Sequence, residues 1–329
     1  MGLRNHVVVV TGASSGIGRA TAEAFARRGC AVVLAARREE ALQAAARECE
    51  KHRRARTLVV PTDTTDVKAV EDLARRAVEE FGRIDVWVNN AAVNAFGRLE
   101  DVPLEDFRRV MDVNVMGYVH GARAALPVMR EQGSGTLINI SSVVGAVAQP
   151  YSHPYSMSKH AVQGLGSSLR QQLRVEGEKG IRVCTVMPAT VDTPHFEQAA
   201  NFTGRKVVAM PPVHSPERVA KAVVDLARHP RREVVVGPGG RALVRQARVA
   251  PAKAERLMAR QTDKKHLDHD EEAPVTHGAL HVPASGEGAV HGGWGGRRRT
   301  AMRRTVVAAA LTGAAVTVGR RMNRGLVRT

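Results

Sequence analysis

An α/β fold, built as a doubly wound seven-stranded parallel sheet with helices on both faces, is the class this sequence predicts, and three observations predict it. Short apolar runs rich in β-branched residues alternate with segments of helical periodicity from residue 6 to about residue 236. Those runs are apolar at consecutive positions, as in Val7-Val8-Val9-Val10, the pattern of strands covered on both faces. The first run opens into a glycine-rich turn followed by a helix, the unit from which parallel sheets are wound. The composition, 43% hydrophobic and 25% charged, is that of a globular chain. Cys30, Cys49 and Cys184 lie far apart with no CxxC pair, which argues against a zinc or disulfide framework and suits a reducing compartment.

The elements follow in order. Residues 6–11 form the first strand. Thr11-Gly12-Ala13-Ser14-Ser15-Gly16-Ile17-Gly18 is the turn, and a helical pattern runs on to residue 28. Glycines let this backbone turn tightly and approach a pyrophosphate, whose charge the N–H groups and the helix dipole stabilise, so Gly12, Ser14, Ser15, Gly16, Ile17 and Gly18 are candidate cofactor residues. The next strand, 31–35, ends in Arg37 and Arg38 with no acid to bind a ribose 2′-hydroxyl. Guanidinium there favours a 2′-phosphate, hence NADP over NAD; the bland alternative is that these arginines flank a solvated helix start. Residues 56–60, 84–88, 136–140, 182–187 and 233–236 are the remaining strands, with a helix at 66–81. The fourth strand runs into Asn89-Asn90-Ala91-Ala92, and Ser215-Pro216-Glu217 caps a helix that ends near residue 229. Residues 1–240 thus read as a dinucleotide-binding (Rossmann) catalytic domain.

Three groups able to move a proton gather in residues 139–161. Tyr155 and Lys159 are four apart, on one face of a helix, where an ammonium favours phenolate and lowers the phenol toward the working range of a general acid or base. Ser142 follows an apolar run and emerges at a strand's carboxyl end, where open α/β sheets bind ligands. A Tyr and a Lys at this spacing also occur by chance on many helices, and the glycine turn is what makes a catalytic reading the better one.

Taken together, the turn TGASSGIG, Asp63, Asn89-Asn90-Ala91, Asn114, Ser142, Tyr155 and Lys159 resemble the compact single-domain branch of the short-chain dehydrogenase/reductase family over residues 3 to about 240. Ala92 stands where that family has a glycine, and Pro188-Ala189-Thr190 replaces its Pro-Gly after the sixth strand. The resemblance implies an NADP-dependent oxidoreductase interconverting a carbonyl and an alcohol. Asn114, Ser142, Tyr155 and Lys159 would be catalytic. Asp63 would contact adenine, and Asn90, Ala91, Pro188, Ala189, Val191, Thr193, Tyr155 and Lys159 would join the turn in holding the cofactor. It also implies that Tyr155 protonates the oxygen, Ser142 stabilises developing charge, Lys159 holds the ribose and lowers the Tyr155 pKa, and Asn114 places a water leading to solvent. The substrate lid would be residues 190–212, with His195, Phe196, Phe202 and Met210. Ser142, His153, Tyr155 and Phe196, with Met187, would then face a hydrophobic carbonyl or alcohol.

Beyond residue 240 the composition changes. Residues 241–329 hold 17 Lys and Arg against 7 Asp and Glu, a net +10 of the chain's +17. Residues 241–261 read as a basic helix with Leu243, Ala247, Ala250, Ala254 and Leu257 as a weak apolar stripe that Pro251 should kink or interrupt. Residues 262–300 read as a flexible linker, in which His266, Asp268, His269 and Asp270 are solvated and hold no metal. Residues 301–329 read as a basic and apolar tail whose uncharged run, 305–319, is short for a membrane span and suits a helix lying on an anionic membrane or a protein, with a disordered tail and a true anchor as the alternatives. With no leader pattern at the start, the protein is expected in the cytoplasm, with membrane association through the tail as the alternative. Expected partners are the small-molecule substrate and a second copy of the chain. Specific nucleic-acid binding is not expected, since the arginines are not interleaved with aromatics beyond Trp294. The competing functional class is a tail-driven membrane- or partner-binding protein that uses the cofactor domain as scaffold or redox sensor.

Overall fold

The computed structural model describes residues 2–295, and the chain to Trp294 forms one compact unit. Its elements run β1 (Val7–Thr11), α1 (Gly16–Ala26), β2 (Ala31–Ala36), α2 (Glu39–Glu50), β3 (Arg56–Pro61), α3 (Val67–Phe81), β4 (Val86–Asn89), β5 (Ala95–Phe96) and α4 (Leu104–Met111). A π turn (Asp112–Met116) leads into α5 (Gly117–Glu131), followed by β6 (Gly135–Ile140), α6 (His153–Val175), β7 (Ile181–Pro188), α7 (His195–Gln198), β8 (Ala200–Asn201), β9 (Arg205–Val207), α8 (Pro216–Arg228) and β10 (Glu233–Val236). The last elements are α9 (Pro238–Val249), α10 (Pro251–Lys265) and β11 (Leu267–Glu272). The main sheet has seven strands in the order β10-β7-β6-β4-β1-β2-β3, and every neighbouring pair is parallel. The order reverses between β1 and β4, and the crevice at their carboxyl ends is where a doubly wound sheet takes a ligand.

The consecutive valines of β1 explain the layering. Val8 and Val10 join one buried cluster with Phe25 of α1, Leu42 of α2 and Val223 of α8. Val7 and Val9 join another with Leu73 of α3, Met129 of α5 and Leu173 of α6. Successive strand residues point to opposite faces, so a sheet covered twice needs apolar residues at every position. Each such side chain, fully buried, contributes about 1.5–3 kcal/mol. Helix α3 starts where Asp66 accepts from the backbone N–H of Lys68 and Ala69, and stops at left-handed Gly82. Ser215 caps α8 by backbone geometry alone, with Pro216 in its first turn and no side-chain cap bond.

The region after residue 240 differs from the sequence expectation. Pro251 divides it into α9 and α10 and starts the second, a place where its missing N–H costs nothing. Val244, Ala254 and Met258 pack on Val143, Val144 and Val147, close to the expected stripe, whereas Leu257 is 37% exposed. Residues 262–294 are not a flexible linker. Strand β11 pairs antiparallel with β9 of the expected lid. Leu267 and Leu280 are buried, and Thr276 exchanges backbone hydrogen bonds with Asn201. Apolar anchors and carbonyls that accept hydrogen bonds from arginines hold this polar segment, which composition alone reads as solvated. Residues 301–329, with their expected interfacial run, lie outside the described residues. Among the described residues no helix is long and apolar enough to cross a membrane.

Candidate active site

The glycine turn is held from behind. Asn90 donates through Nδ2 to the Thr11 and Gly12 carbonyls at 2.9 and 3.3 Å, and the N–H of Ala91 donates to Thr11 Oγ1 at 3.2 Å. Gly12 has φ +67°, and a Cβ there would lie 2.8 Å from the Ala91 Cα. A Cβ on Gly18 would lie 2.2 Å from the Gly12 carbonyl oxygen, so neither position accepts a side chain without moving backbone. Gly12, Ser14, Ser15, Gly16 and Ile17 line the cavity that opens in front of them, while Gly18 packs beneath. A glycine turn leading into the first turn of α1 is a cradle that fits a dinucleotide's pyrophosphate.

That cavity measures about 460 Å³ and runs from Arg37, Arg38 and Asp63 to Tyr155, His195 and Met258. Pro188, Ala189, Val191 and Thr193 line its middle. The methyl of Ala189, where a glycine was expected, faces Gly237 and Gly240, whose own Cβ atoms would come within 3.2 and 3.1 Å of it. Glycines across the gap therefore accommodate the added methyl.

The proton-transfer groups meet on α6 and at the end of β6. Tyr155 and Ser142 both line the cavity, and Ser142 Oγ accepts from the N–H of Val144 at 3.3 Å. Lys159 is 1% exposed; its Nζ donates to the Ile140 carbonyl at 3.0 Å and to the Tyr118 hydroxyl at 3.3 Å, and lies 5.4 Å from the centre of the Tyr155 ring. Electrostatics here depart from expectation. Burial dominates, raising Tyr155 to about 12 against the lowering effect of Ser142 and lowering Lys159 to about 7. Lys159, bonded to a carbonyl, does not pull the phenol down in the protein alone. Asn114, wholly buried in the π turn, donates to the Val93 carbonyl and Ser158 Oγ and accepts from the Val93 N–H. Its side chain is thus committed to fixing the kink. Both Nδ2 protons are used, which leaves the second lone pair of Oδ1 and the main chain for the expected water-placing role.

At the other end, Asp63 accepts from Arg109 at 2.8 Å and from the N–H and hydroxyl of Thr65. Burial would raise its pKa, but these bonds outweigh it and keep the carboxyl below its ordinary value. Residues 273–294 then cross the cavity mouth as a strap. Arg37 donates to the carbonyls of Ala279, Leu280 and His281, and Arg38 to those of Ala284, Ser285 and Gly286 as well as to Ser14 Oγ. The N–H of Gly16 donates to the Ala289 carbonyl at 2.8 Å. Asp192 accepts from the N–H groups of Gly292 and Trp294, and Trp294 Nε1 donates to the Thr193 carbonyl. Ala279, Pro283 and Ala284 of the strap line the cavity itself.

The inner end is mostly apolar. Phe196 and Met210 of the lid face Leu243, Leu257 and Met258 of α9 and α10, so sequence reading identified one wall and missed the other. The weak stripe on residues 243–257 was the signal for it. His153 and Met187 do not line the cavity: His153 starts α6 and Met187 is buried in β7. Gln149 and His195 do, and Gln149 Nε2 and His195 Nε2 are buried without a hydrogen-bond partner among the described residues. The His195 ring lies 5.4 Å from that of Tyr155. Burial, with Lys159 and His266 nearby, lowers His195 to about 4 and keeps it neutral. His266 is not a solvated linker residue. It is buried, bonded to the Val208 carbonyl, stacked edge-on against Phe96 and Phe196, and lowered by that burial to about 4.

Comparisons with known proteins agree with this geometry. The profile of the short chain dehydrogenases matches residues 6–203. The uncharacterised oxidoreductase YxnA of Bacillus subtilis is 36% identical over 258 residues, 78% of this chain and 72% of that protein. An uncharacterised oxidoreductase of Staphylococcus haemolyticus is 33% identical over 72% of this chain and 98% of its own length. Among solved structures, a short chain dehydrogenase/reductase from Burkholderia phymatum in complex with NAD superposes with a TM-score of 0.67 at 28% identity, covering 80% of this chain and 98% of that one. An alcohol dehydrogenase from the archaeon Thermococcus sibiricus, complexed with 5-hydroxy-NADP, gives 0.62 at 29% identity, covering 71% and 96%.

Proposed function

From the premise that the chain belongs to the short-chain dehydrogenase family, an oxidoreductase family, we propose that it interconverts a hydrophobic carbonyl compound and its alcohol with NADP, Tyr155 acting as general acid and base. The observation that carries this reading is the meeting of Tyr155, Ser142 and Lys159 at the apolar end of a cavity whose other end is the glycine turn. A bound NADPH supplies the hydride. Tyr155, kept protonated by its dry surroundings, gives its proton to the carbonyl oxygen. Ser142 donates a hydrogen bond to the same oxygen as charge develops. Lys159, near neutrality at pH 7, takes up and releases protons beside that phenol. Arg37 and Arg38 favour NADP, because a 2′-phosphate meets the guanidinium charges with a negative charge of its own and with paired oxygens, which the neutral strap carbonyls do not offer. The unpartnered Gln149 and His195 add to the substrate description: an apolar body carrying, besides the reacting carbonyl, a second hydrogen-bonding oxygen.

The test follows nicotinamide absorbance with NADPH or NADH over a panel of aliphatic and aromatic ketones and aldehydes, with and without a second oxygen. Turnover is expected with NADPH on apolar members, highest where the second oxygen is present. Tyr155→Phe should lower kcat by about 100-fold or more while NADPH binding persists. A loss under about threefold, or a preference for small sugars, would reject the assignment.

A further inference from the structure

The strap is held at one point by an arrangement that backbone bonding does not explain. Asp106 of α4 is completely buried, and its carboxylate faces two imidazoles from the strap: Oδ2 lies 2.8 Å from His277 Nδ1 and Oδ1 lies 2.7 Å from His281 Nε2. The three ligand atoms lie within 4.8 Å of one another. Outwardly the rings are open, with His277 56% and His281 45% exposed, so water can reach their far side. Between them the chain is anchored. Leu280 is fully buried against Ala95, Val102, Val110 and Ala200, its carbonyl accepts from Arg109 and Arg37, and the N–H of Ala279 donates to the Gln198 carbonyl. The His277 ring packs edge-on against Phe202.

We propose that Asp106, His277 and His281 form a binding site for a divalent first-row transition metal, with zinc as the reference ion, and that the metal pins the strap to α4. Two imidazoles and one carboxylate, with a solvent-facing fourth position, are a donor set suited to such an ion. The charges favour it as well. A dication at this place would neutralise the carboxylate of Asp106, which is completely buried. Ligand bonds of about 2.0–2.2 Å put donor atoms roughly 3.3 Å apart, so side-chain rotation suffices and the anchored turn need not move. Binding requires each ring to present a lone pair, the proton that faces Asp106 shifting to the ring's other nitrogen or leaving to solvent. The other cluster weighed from the sequence, around His266, is not assembled in this way, since His266 is turned inward to Val208.

The experiment uses the full chain stripped of metal. Cobalt(II) is titrated while its visible d–d absorption is followed, and zinc affinity is measured by calorimetry. One equivalent is expected with micromolar affinity or better, and His277→Ala and His281→Ala, both at exposed positions, should each weaken it by about tenfold or more. Asp106→Asn is the third arm, read alongside its circular dichroism spectrum because that residue is buried. Hydrogen exchange over residues 276–282 should slow when zinc is added to the wild type and stay unchanged in the double histidine variant. Absence of saturable binding, or undiminished binding by the double variant, overturns the site. Binding without slowed exchange overturns the pinning of the strap. None of these readouts depends on cofactor or substrate, so they stand or fall separately from the oxidoreductase assignment.

Discussion

Lys159 shows how burial sets chemistry at a single residue. Its pKa falls from an ordinary 10.5 to about 7 inside the protein. Between those values the unfolded chain holds the proton and the folded chain does not, so the residue makes stability rise with pH across that window, by at most about 1.4 kcal/mol per unit. Lys159→Met should therefore be more stable than the wild type near pH 7 without cofactor, with a melting-temperature gap that closes as pH approaches about 10. A gap that ignores pH would mean the lysine is not desolvated. Arg37 offers a second residue-scale test. Arg37→Asp removes three bonds to strap carbonyls and puts a carboxylate where a 2′-phosphate would sit, so the ratio of NADP to NAD affinity, measured by fluorescence titration, should fall by about tenfold or more. Tyr155 and Lys159 were legible because a four-residue spacing on a helix is a local signal. Gln149 and His195 were not identified as polar groups of the site, since only the folded cavity shows that their Nε2 atoms are buried with no hydrogen-bond partner among the described residues.

At the scale of elements, α10 carries the clearest consequence. Met258 is 1% exposed, packs on Val143, Val144 and Val147, and also faces the cavity. Met258→Ala should cost about 2–5 kcal/mol, read as a lower urea midpoint with unchanged slope, and should shift preference toward bulkier carbonyls by enlarging the apolar wall. Strands β1 and β2 were readable because burial on both faces writes itself as unbroken apolar runs, and the partly buried edge strands β3 and β10 still keep short valine-rich runs. The π turn at Asp112–Met116 was not, because its hydrogen bonds depend on Asn114 meeting Val93 and Ser158. Strands β5, β8 and β9 have only two or three residues each, and β11, though six residues long, is polar at all but its first position, so none carries an apolar run of its own.

For the whole molecule, the strap matters most. A segment rich in Gly, His and Pro has no periodic pattern and was read as linker; what orders it is a row of its carbonyls offered to arginines about 240 residues earlier in the chain. Leu280→Ser should open it, since the buried side chain is worth about 1.5–3 kcal/mol. Faster proteolysis within 273–294 and NADPH dissociation quickened about tenfold or more should accompany a much smaller change in the melting temperature of the sheet. Unaltered dissociation would show that the strap does not restrain the cofactor. The contacts between this late segment and residues 14–38 also give the protein an order of assembly. A chain made from its N-terminus completes the glycine turn and the strands of the main sheet before residues 273–294 emerge, so a dinucleotide meeting the nascent molecule would find an open door that this segment later closes.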